Sequence, residues 1–220
     1  MSTLRLRYQT IEFGDTDIHV RTLRDRQQVS DAEEVELVVG ISPANWALFG
    51  VIWASGELLA RIMFEYEVEG KRILEVGCGI GLASLVLNYR HADITATDHH
   101  PEVEGFLLEN TKLNGLQTIP FVRTGWSDAE TNLGLFDIII GSDLLYEQGH
   151  PEELSRFIDQ HAKPNCHVMI IDPGRKHSAR FSKHMTVLGF SFDRSTPEHI
   201  EDITQPFRGV NQFQLLSFVR

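Results

Sequence analysis

The residues Ile73-Leu74-Glu75-Val76-Gly77-Cys78-Gly79-Ile80-Gly81 join an apolar run to three alternate glycines, and Ile94-Thr95-Ala96-Thr97-Asp98 ends a second apolar run in a carboxylate. Asp98 lies 21 positions beyond Gly77. A glycine-closed run followed at that distance by an acid-closed run is the plan of a nucleoside site at the carboxyl ends of two parallel strands. Glycines let the backbone turn tightly and approach a ligand with no Cβ in the way. A carboxylate at the end of the next strand accepts hydrogen bonds from both ribose hydroxyls.

The glycine spacing separates two kinds of ligand. A dinucleotide-binding loop reads G-x-G-x-x-G and aims a helix N-terminus at a pyrophosphate. Here the order is Gly77-x-Gly79-x-Gly81, with Glu75 before it. A carboxylate beside the loop repels pyrophosphate. It suits a ligand carrying positive charge, such as the ammonium and sulfonium of S-adenosylmethionine. Taken alone, the glycines also fit a strand-to-helix turn with a packing role only; Glu75 and Asp98 on either side favour the cofactor.

The rest of the chain supplies a matching frame. Apolar runs at 72–76, 92–97, 119–123, 136–141 and 166–171 alternate with helical patterns near 81–90, 101–114, 151–162 and 176–188. Runs such as Phe136-Asp137-Ile138-Ile139-Ile140 fit strands buried on both faces, and the alternation predicts a parallel sheet covered by helices on each side. Residues 190–193 and 213–219 have no helix pattern between them and predict an antiparallel pair with a long connection, 195–211. Upstream, residues 3–13 and 17–24 alternate around Gly14-Asp15-Thr16, which reads as a β-hairpin. A loop is expected at 25–33, a short strand at Glu36–Gly40, a turn and short helix at Pro43–Phe49, and a helix from Ser55. At 220 residues the chain is expected to form one compact domain, with 1–44 a β-rich extension packed on a core of 45–220.

At this point the chain resembles a family. The glycine loop, Asp98, the run of strands and the antiparallel tail are similar to the class I, seven-β-strand S-adenosylmethionine-dependent methyltransferases, over roughly residues 45–220. The implied fold is α/β: a doubly wound, Rossmann-like, seven-stranded, mostly parallel sheet with an antiparallel C-terminal strand, here with the N-terminal hairpin added. Gly141-Ser142-Asp143-Leu144-Leu145-Tyr146 matches the Asp-x-x-Tyr motif of a branch rich in protein-lysine methyltransferases. Gly50-Val51-Ile52-Trp53-Ala54-Ser55-Gly56 resembles that branch's Trp-centred motif over the cofactor, and Asp172-Pro173-Gly174-Arg175 resembles members acting on an electron-transfer flavoprotein.

The resemblance implies Asp143 and Tyr146 as catalytic residues. A carboxylate at a central strand's carboxyl end could hold a lysine ammonium, then orient the amine once it is deprotonated. An aromatic wall stabilises a cation by roughly 0.5–2 kcal/mol. The structural alternative makes Asp143 a helix N-cap and Tyr146 a packing residue. The candidate cofactor-binding set is Trp53, Glu75, Gly77, Cys78, Gly79, Gly81, Asp98, His99, Trp126 and Ser142. Trp53 has a core-packing alternative. Trp126 follows the third strand of the alternating region, where relatives carry an acid just before it for the adenine amino group; Gly125 stands there instead, which leaves Asp128 or backbone carbonyls for that contact. His99 is expected to line the pocket and His100 to face solvent. Asn110 and Asn114, one helical turn apart, are expected to be structural. No metal site is expected, since adjacent His99-His100 lack the i, i+4 spacing of a helical ligand pair.

The formal charge is −11, from 31 acidic and 20 basic residues. An acidic body repels phosphate backbones, so a protein acceptor is expected rather than nucleic acid. Two isolated cysteines, Cys78 and Cys166, and the absence of a signal-like amino terminus point to the cytoplasm. No membrane span of roughly 20 apolar residues is expected, and a monomer is favoured. The function expected is methyl transfer to a lysine ε-amine of a protein. A small-molecule methyltransferase and a non-catalytic cofactor-binding module are the alternatives.

Overall fold

The computed structural model describes residues 5–24, 46–128, 131–205 and 212–220. Its strands are β1 (Leu6–Phe13), β2 (Thr16–Leu23), β3 (Arg72–Val76), β4 (Asp93–Asp98), β5 (Phe121–Arg123), β6 (Phe136–Ser142), β7 (Ala162–Asp172), β8 (Ser191–Ser195) and β9 (Gln214–Val219). Its helices are α1 (Ala54–Glu65), α2 (Leu82–Tyr89), α3 (Val103–Leu113), α4 (His150–His161) and α5 (Ser178–Val187). A 3-10 turn, Trp46–Gly50, precedes α1. The loop expected at 25–33 and the strand expected at Glu36–Gly40 lie outside the described residues.

Seven strands form one sheet in the order β5-β4-β3-β6-β7-β9-β8. β3 pairs in parallel with β4 and with β6, and β6 in parallel with β7; β9 runs antiparallel between β7 and β8. The chain therefore moves outward from β3 through β4 to β5, then returns to the other side of β3 as β6. That reversal opens a crevice at the carboxyl ends of β3 and β6. β5 is shorter than expected. Pro120 just before it has no N–H to give a ladder, although its carbonyl accepts from Ala96 N at 2.9 Å. β7 is longer than expected, taking in Pro164 and Asn165 beside a register shift between Phe136 and Ile138.

Side-chain alternation divides the core into two layers. Ile73 of β3 and Ile138 and Ile140 of β6 face the cluster containing Leu58 and Leu59 of α1, Val86 of α2 and Phe106 of α3. Leu74 and Val76 of β3 and Ile139 of β6 face the cluster with Phe157 of α4 and Phe181 of α5. The period of two in strands buried on both faces puts successive apolar residues into opposite layers.

The hairpin turns at Gly14-Asp15 and buries Phe13, Ile18 and Val20 against the first layer. Two asparagines of the α3 region bind it. Asn110 Oδ1 accepts from Arg21 N at 2.7 Å, and Asn114 Oδ1 accepts from His19 N at 2.7 Å. Their amide nitrogens donate to the Arg21 and His19 carbonyls at 3.3 and 2.7 Å. The paired amides thus satisfy alternate backbone groups of β2, which pairs only with β1 among the described residues.

Two findings depart from expectation or add to it. The stretch Trp46–Glu65 has the length and hydropathy of a membrane span, contrary to the expectation that no segment would. It breaks between the 3-10 turn and α1, and Phe49, Leu58, Leu59 and Met63 pack inside the core. Glu57 of α1, also buried, accepts from Thr204 N at 3.0 Å, from Gln205 N at 2.9 Å, and from Arg61 Nη2 at 2.7 Å. It pins residues 204–205, in the middle of the long connection between β8 and β9, to α1.

Candidate functional site

The carboxyl ends of β3, β4, β5 and β6 border a cavity of about 1160 Å³. Each residue singled out above for the cofactor lines it: Trp53, Glu75, Gly77, Cys78, Gly79, Gly81, Asp98, His99, Trp126 and Ser142. So do Asp143 and Tyr146.

The loop after β3 explains its glycines. Gly77 and Gly79 have φ of +61° and +53°, a conformation that costs a side chain strain. A Cβ on Gly77 would lie 2.7 Å from Leu144 Cδ2, and one on Gly79 3.1 Å from the Phe49 carbonyl oxygen. The backbone is therefore the wall of the cavity at this end. Leu144 and Phe49 leave no room for a side chain at either position.

Two buried carboxylates sit behind that wall. Asp98 Oδ2 accepts from Gly79 N and Oδ1 from His100 N, each at 2.9 Å. Each oxygen keeps a lone pair for a ligand hydroxyl. Burial raises the Asp98 pKa, against the opposing pull of those backbone donors. Glu75 Oε2 accepts from Ser84 N at 2.9 Å and from the Ser84 hydroxyl. Burial, with the charge of Asp98 adding to it, pushes Glu75 up to about 7. A carboxylate held poorly ionised by burial gains most from a cation placed beside it.

The adjacent histidines divide differently from expectation. His99 is exposed, its Nδ1 3.5 Å from Asp98 Oδ1, and it borders the cavity. His100 does not face solvent. It is 3% exposed, stacks on Phe49 with centroids 3.9 Å apart, and meets Trp46 at 4.2 Å. Its Nδ1 accepts from Glu102 N at 3.2 Å, and burial pushes its pKa down to about 3. The aromatic cage of the 3-10 turn drew it inward, and a dipeptide has no periodicity to announce that.

Beyond β5, Asp128 Oδ2 accepts from Gly125 N at 2.7 Å and Thr124 Oγ1 at 2.9 Å, closing the turn that presents Trp126. Trp53 Nε1 donates to the Leu48 carbonyl at 3.0 Å, which fixes the indole at the cavity edge.

The β6 end has another character. Asp143 is not a helix N-cap: α4 begins only at His150, after Gly149. Instead Asp143 N continues the β6–β7 ladder by donating to Ile171 O at 2.9 Å, with φ at +55°. Its carboxylate is gripped by Arg175, Nε to Oδ1 at 2.6 Å and Nη2 to Oδ2 at 2.8 Å. The Arg175 loop is itself held by Asp172, whose Oδ2 accepts from Gly174 N at 3.1 Å and Arg175 N at 3.0 Å. Half-open Tyr146 lies edge-on to His150 at 4.6 Å, and His150 is edge-on to Trp126 at 5.0 Å. Burial and the acids around it push the Tyr146 phenol up to about 12, so it is a hydrogen-bond donor rather than a base near neutral pH.

Sequence reasoning missed two members. His150 joins the two ends of the cavity, and its Nδ1 donates to the Leu144 carbonyl at 2.6 Å. Arg175 was noted as part of a motif, without its partner. An arginine in the loop after the neighbouring strand was the available signal. Among the described residues, no group of three or more His, Cys, Asp or Glu side chains has the arrangement to hold a metal ion.

A family model described as a methyltransferase domain matches residues 53–209. The chain is similar to the histidine protein methyltransferase 1 homolog of Dictyostelium discoideum, 27% identical over 140 residues, covering 60% of this chain and 44% of that protein. It is 30% identical over 144 residues to the electron transfer flavoprotein beta subunit lysine methyltransferase of Xenopus laevis, covering 63% and 55%. The chain thus spans about half the length of these curated relatives. Among solved structures, the T. thermophilus 16S rRNA N2 G1207 methyltransferase, in complex with AdoMet and guanosine, has a TM-score of 0.62 at 14% identity. That likeness covers 100% of this chain and 51% of the other, and it bears on the fold alone.

Proposed function

The chain belongs to the methyltransferase-domain family, and from that premise we propose that it transfers a methyl group from S-adenosylmethionine to the ε-amine of a lysine in a protein. The observation that carries the reading is one cavity with two chemically distinct ends, Glu75 and Asp98 behind an open glycine cradle, and Asp143 with Tyr146 opposite.

The residues fit the cofactor. Asp98 holds the ribose hydroxyls with its remaining lone pairs, and the bare backbone at Gly77 and Gly79 admits the amino-acid part. Glu75 offers its charge to the ammonium side. Trp126, His99 and Asp128 border the base, with Asp128 in the role that Gly125 cannot fill. Trp53, Cys78, Gly81 and Ser142 complete the wall. Bound there, S-adenosylmethionine supplies a methyl activated by positive sulfur.

The protein's own task is then orientation, exclusion of water and handling of one proton. A lysine with a reference pKa of about 10.4 arrives charged and must lose that proton before its lone pair attacks. Asp143 attracts the ammonium and keeps the amine aimed after the proton leaves. Tyr146 provides an aromatic face and a hydroxyl donor, and His150 sets its angle. Two relatives named as protein methyltransferases support a protein acceptor.

A histidine acceptor is the second reading. Arg175 already neutralises Asp143, which suits an uncharged imidazole, and one relative is named a histidine protein methyltransferase homolog. Incubation with methyl-labelled cofactor and a lysate of the source cells tests the proposal. Label in a protein band, placed on lysine by mass spectrometry, is the expected result. Label on histidine moves support to the second reading, and label on RNA or a metabolite sinks both.

A further inference from the structure

The Asp143–Arg175 pair poses a problem for a lysine acceptor. Both carboxylate oxygens are engaged by the guanidinium, with the Asp143 side chain 13% exposed and Arg175 42%. If a lysine simply displaced Arg175, the guanidinium would lose the carboxylate that takes both of its hydrogen bonds. Asp172, whose charge also reaches Arg175, is fully buried; its Oδ2 takes the backbone N–H groups of the loop, and its Oδ1 makes no hydrogen bond.

The surface beside Arg175 departs from the charge of the whole. The chain carries −11, yet Lys176, Arg180 and Lys183 stand exposed next to Arg175. Arg180 and Lys183, three apart, share a face of α5, and Lys176 lies two residues before its start. The acid facing them is already matched: Glu152 is 2.6 Å from Arg156 Nη2 and 3.8 Å from Arg180 Nη2. Lys176 and Lys183 make no ion pair with any described residue. Arg180 Nη1 also donates to the Gln148 carbonyl at 3.3 Å, tying the strip to the loop that carries Tyr146.

We propose that the acceptor lysine is flanked by acidic residues, and that binding exchanges one internal ion pair for two intermolecular ones. The lysine takes Asp143 while an aspartate or glutamate of the acceptor takes Arg175, and further acids lie along Lys176 and Lys183. This rests on the lysine reading above and adds the chemistry of the segment around the target. Neither charge of the pair is then stranded, which a neutral or basic flank could not achieve. A nucleic acid is the poorer occupant, because a body carrying −11 repels an extended phosphate backbone, whereas a short acidic flank meets only the basic strip.

The test is fluorescence anisotropy with short labelled peptides and the full chain saturated with S-adenosylhomocysteine. One peptide carries a central lysine among glutamates, the second the same lysine among arginines, and a single-stranded RNA of similar length is the third probe. The acidic peptide is expected to bind at least about tenfold more tightly than the basic one, with a preference that salt weakens. The Lys176→Glu/Lys183→Glu variant should lose that preference, and its S-adenosylhomocysteine affinity reports whether it is folded. Equal or tighter binding of the basic peptide, tighter binding of the RNA, or no binding of either peptide overturns the proposal. Binding of the acidic peptide without methyl transfer in a parallel labelled assay would instead leave the surface standing and sink the methyltransferase reading.

Discussion

At the β3–β4 end of the cavity, carboxylates are held by backbone N–H groups; at the β6–β7 end, a carboxylate is held by another side chain. Asp98 is fixed by Gly79 N and His100 N, which move only if the fold moves. Asp143 is fixed by Arg175, a long side chain 42% exposed. The first arrangement suits a ligand that never changes, the second a ligand whose identity must be read. Divergence of acceptors on a constant cofactor site follows, since one end can be altered by side chains alone.

The sharpest break of this contrast is Asp98→Ala. It removes the carboxylate proposed to accept two charge-assisted hydrogen bonds from ribose, each worth roughly 1.5–3 kcal/mol, so S-adenosylhomocysteine affinity should fall by at least about a hundredfold in calorimetry. Retained affinity would mean that the backbone cradle alone binds the cofactor.

Glu75 tests the same end through pH. Its folded-state pKa of about 7 lies above the unfolded value of 4.5, so the folded protein holds a proton that the unfolded chain releases. Stability from this group is complete below pH 4.5 and falls as pH rises to about 7, by up to roughly 3 kcal/mol. Glu75→Gln should therefore unfold at higher urea concentration than the native chain at pH 8, with the gain shrinking toward pH 5. It should also bind S-adenosylmethionine more weakly. A variant less stable at pH 8 would show that Glu75 is ionised without cost.

At the other end, Asp143→Ala should lower turnover by on the order of ten- to a hundredfold, the worth of a charged hydrogen bond. Cofactor affinity should stay within about threefold, by the independence of separated sites. A loss of cofactor affinity as large as that of turnover would erase the distinction between the ends.

The smallest effect is expected far from both. Asn114→Ala removes two bonds to β2 and should cost about 1–2 kcal/mol in urea unfolding. S-adenosylhomocysteine binding should not change. A coupled loss of binding would make the hairpin part of the cofactor site.

The same division governs what was legible beforehand. Gly77, Gly79, Glu75 and Asp98 are close in sequence to the strand ends that carry them, so local spacing exposes them. The Asp143–Arg175 pair joins residues 32 positions apart. Only the β6–β7 register, with Asp143 N on Ile171 O, brings the two loops together. His100 was misplaced because its burial comes from Trp46 and Phe49, more than 50 positions upstream. The hairpin's turn and alternation were readable, but its attachment through Asn110 and Asn114 needed the three-dimensional approach of β2 to α3.

The place of β9 carries a consequence for the chain during its synthesis. β8 has its side chains exposed and is joined to the sheet through β9, aided by Phe192 stacking on Phe218 at 4.9 Å. Until residues 214–219 emerge from the ribosome, β8 has no neighbour and the outer edge of β7 shows open hydrogen-bonding groups. The nascent chain already holds every strand that borders the cavity, yet it also displays a template for pairing with another nascent copy. A chain cut after residue 200 would therefore keep the β7 edge unpaired. Once residues 214–219 are in place, the sheet's edge passes from β7, eleven residues long, to the five-residue β8.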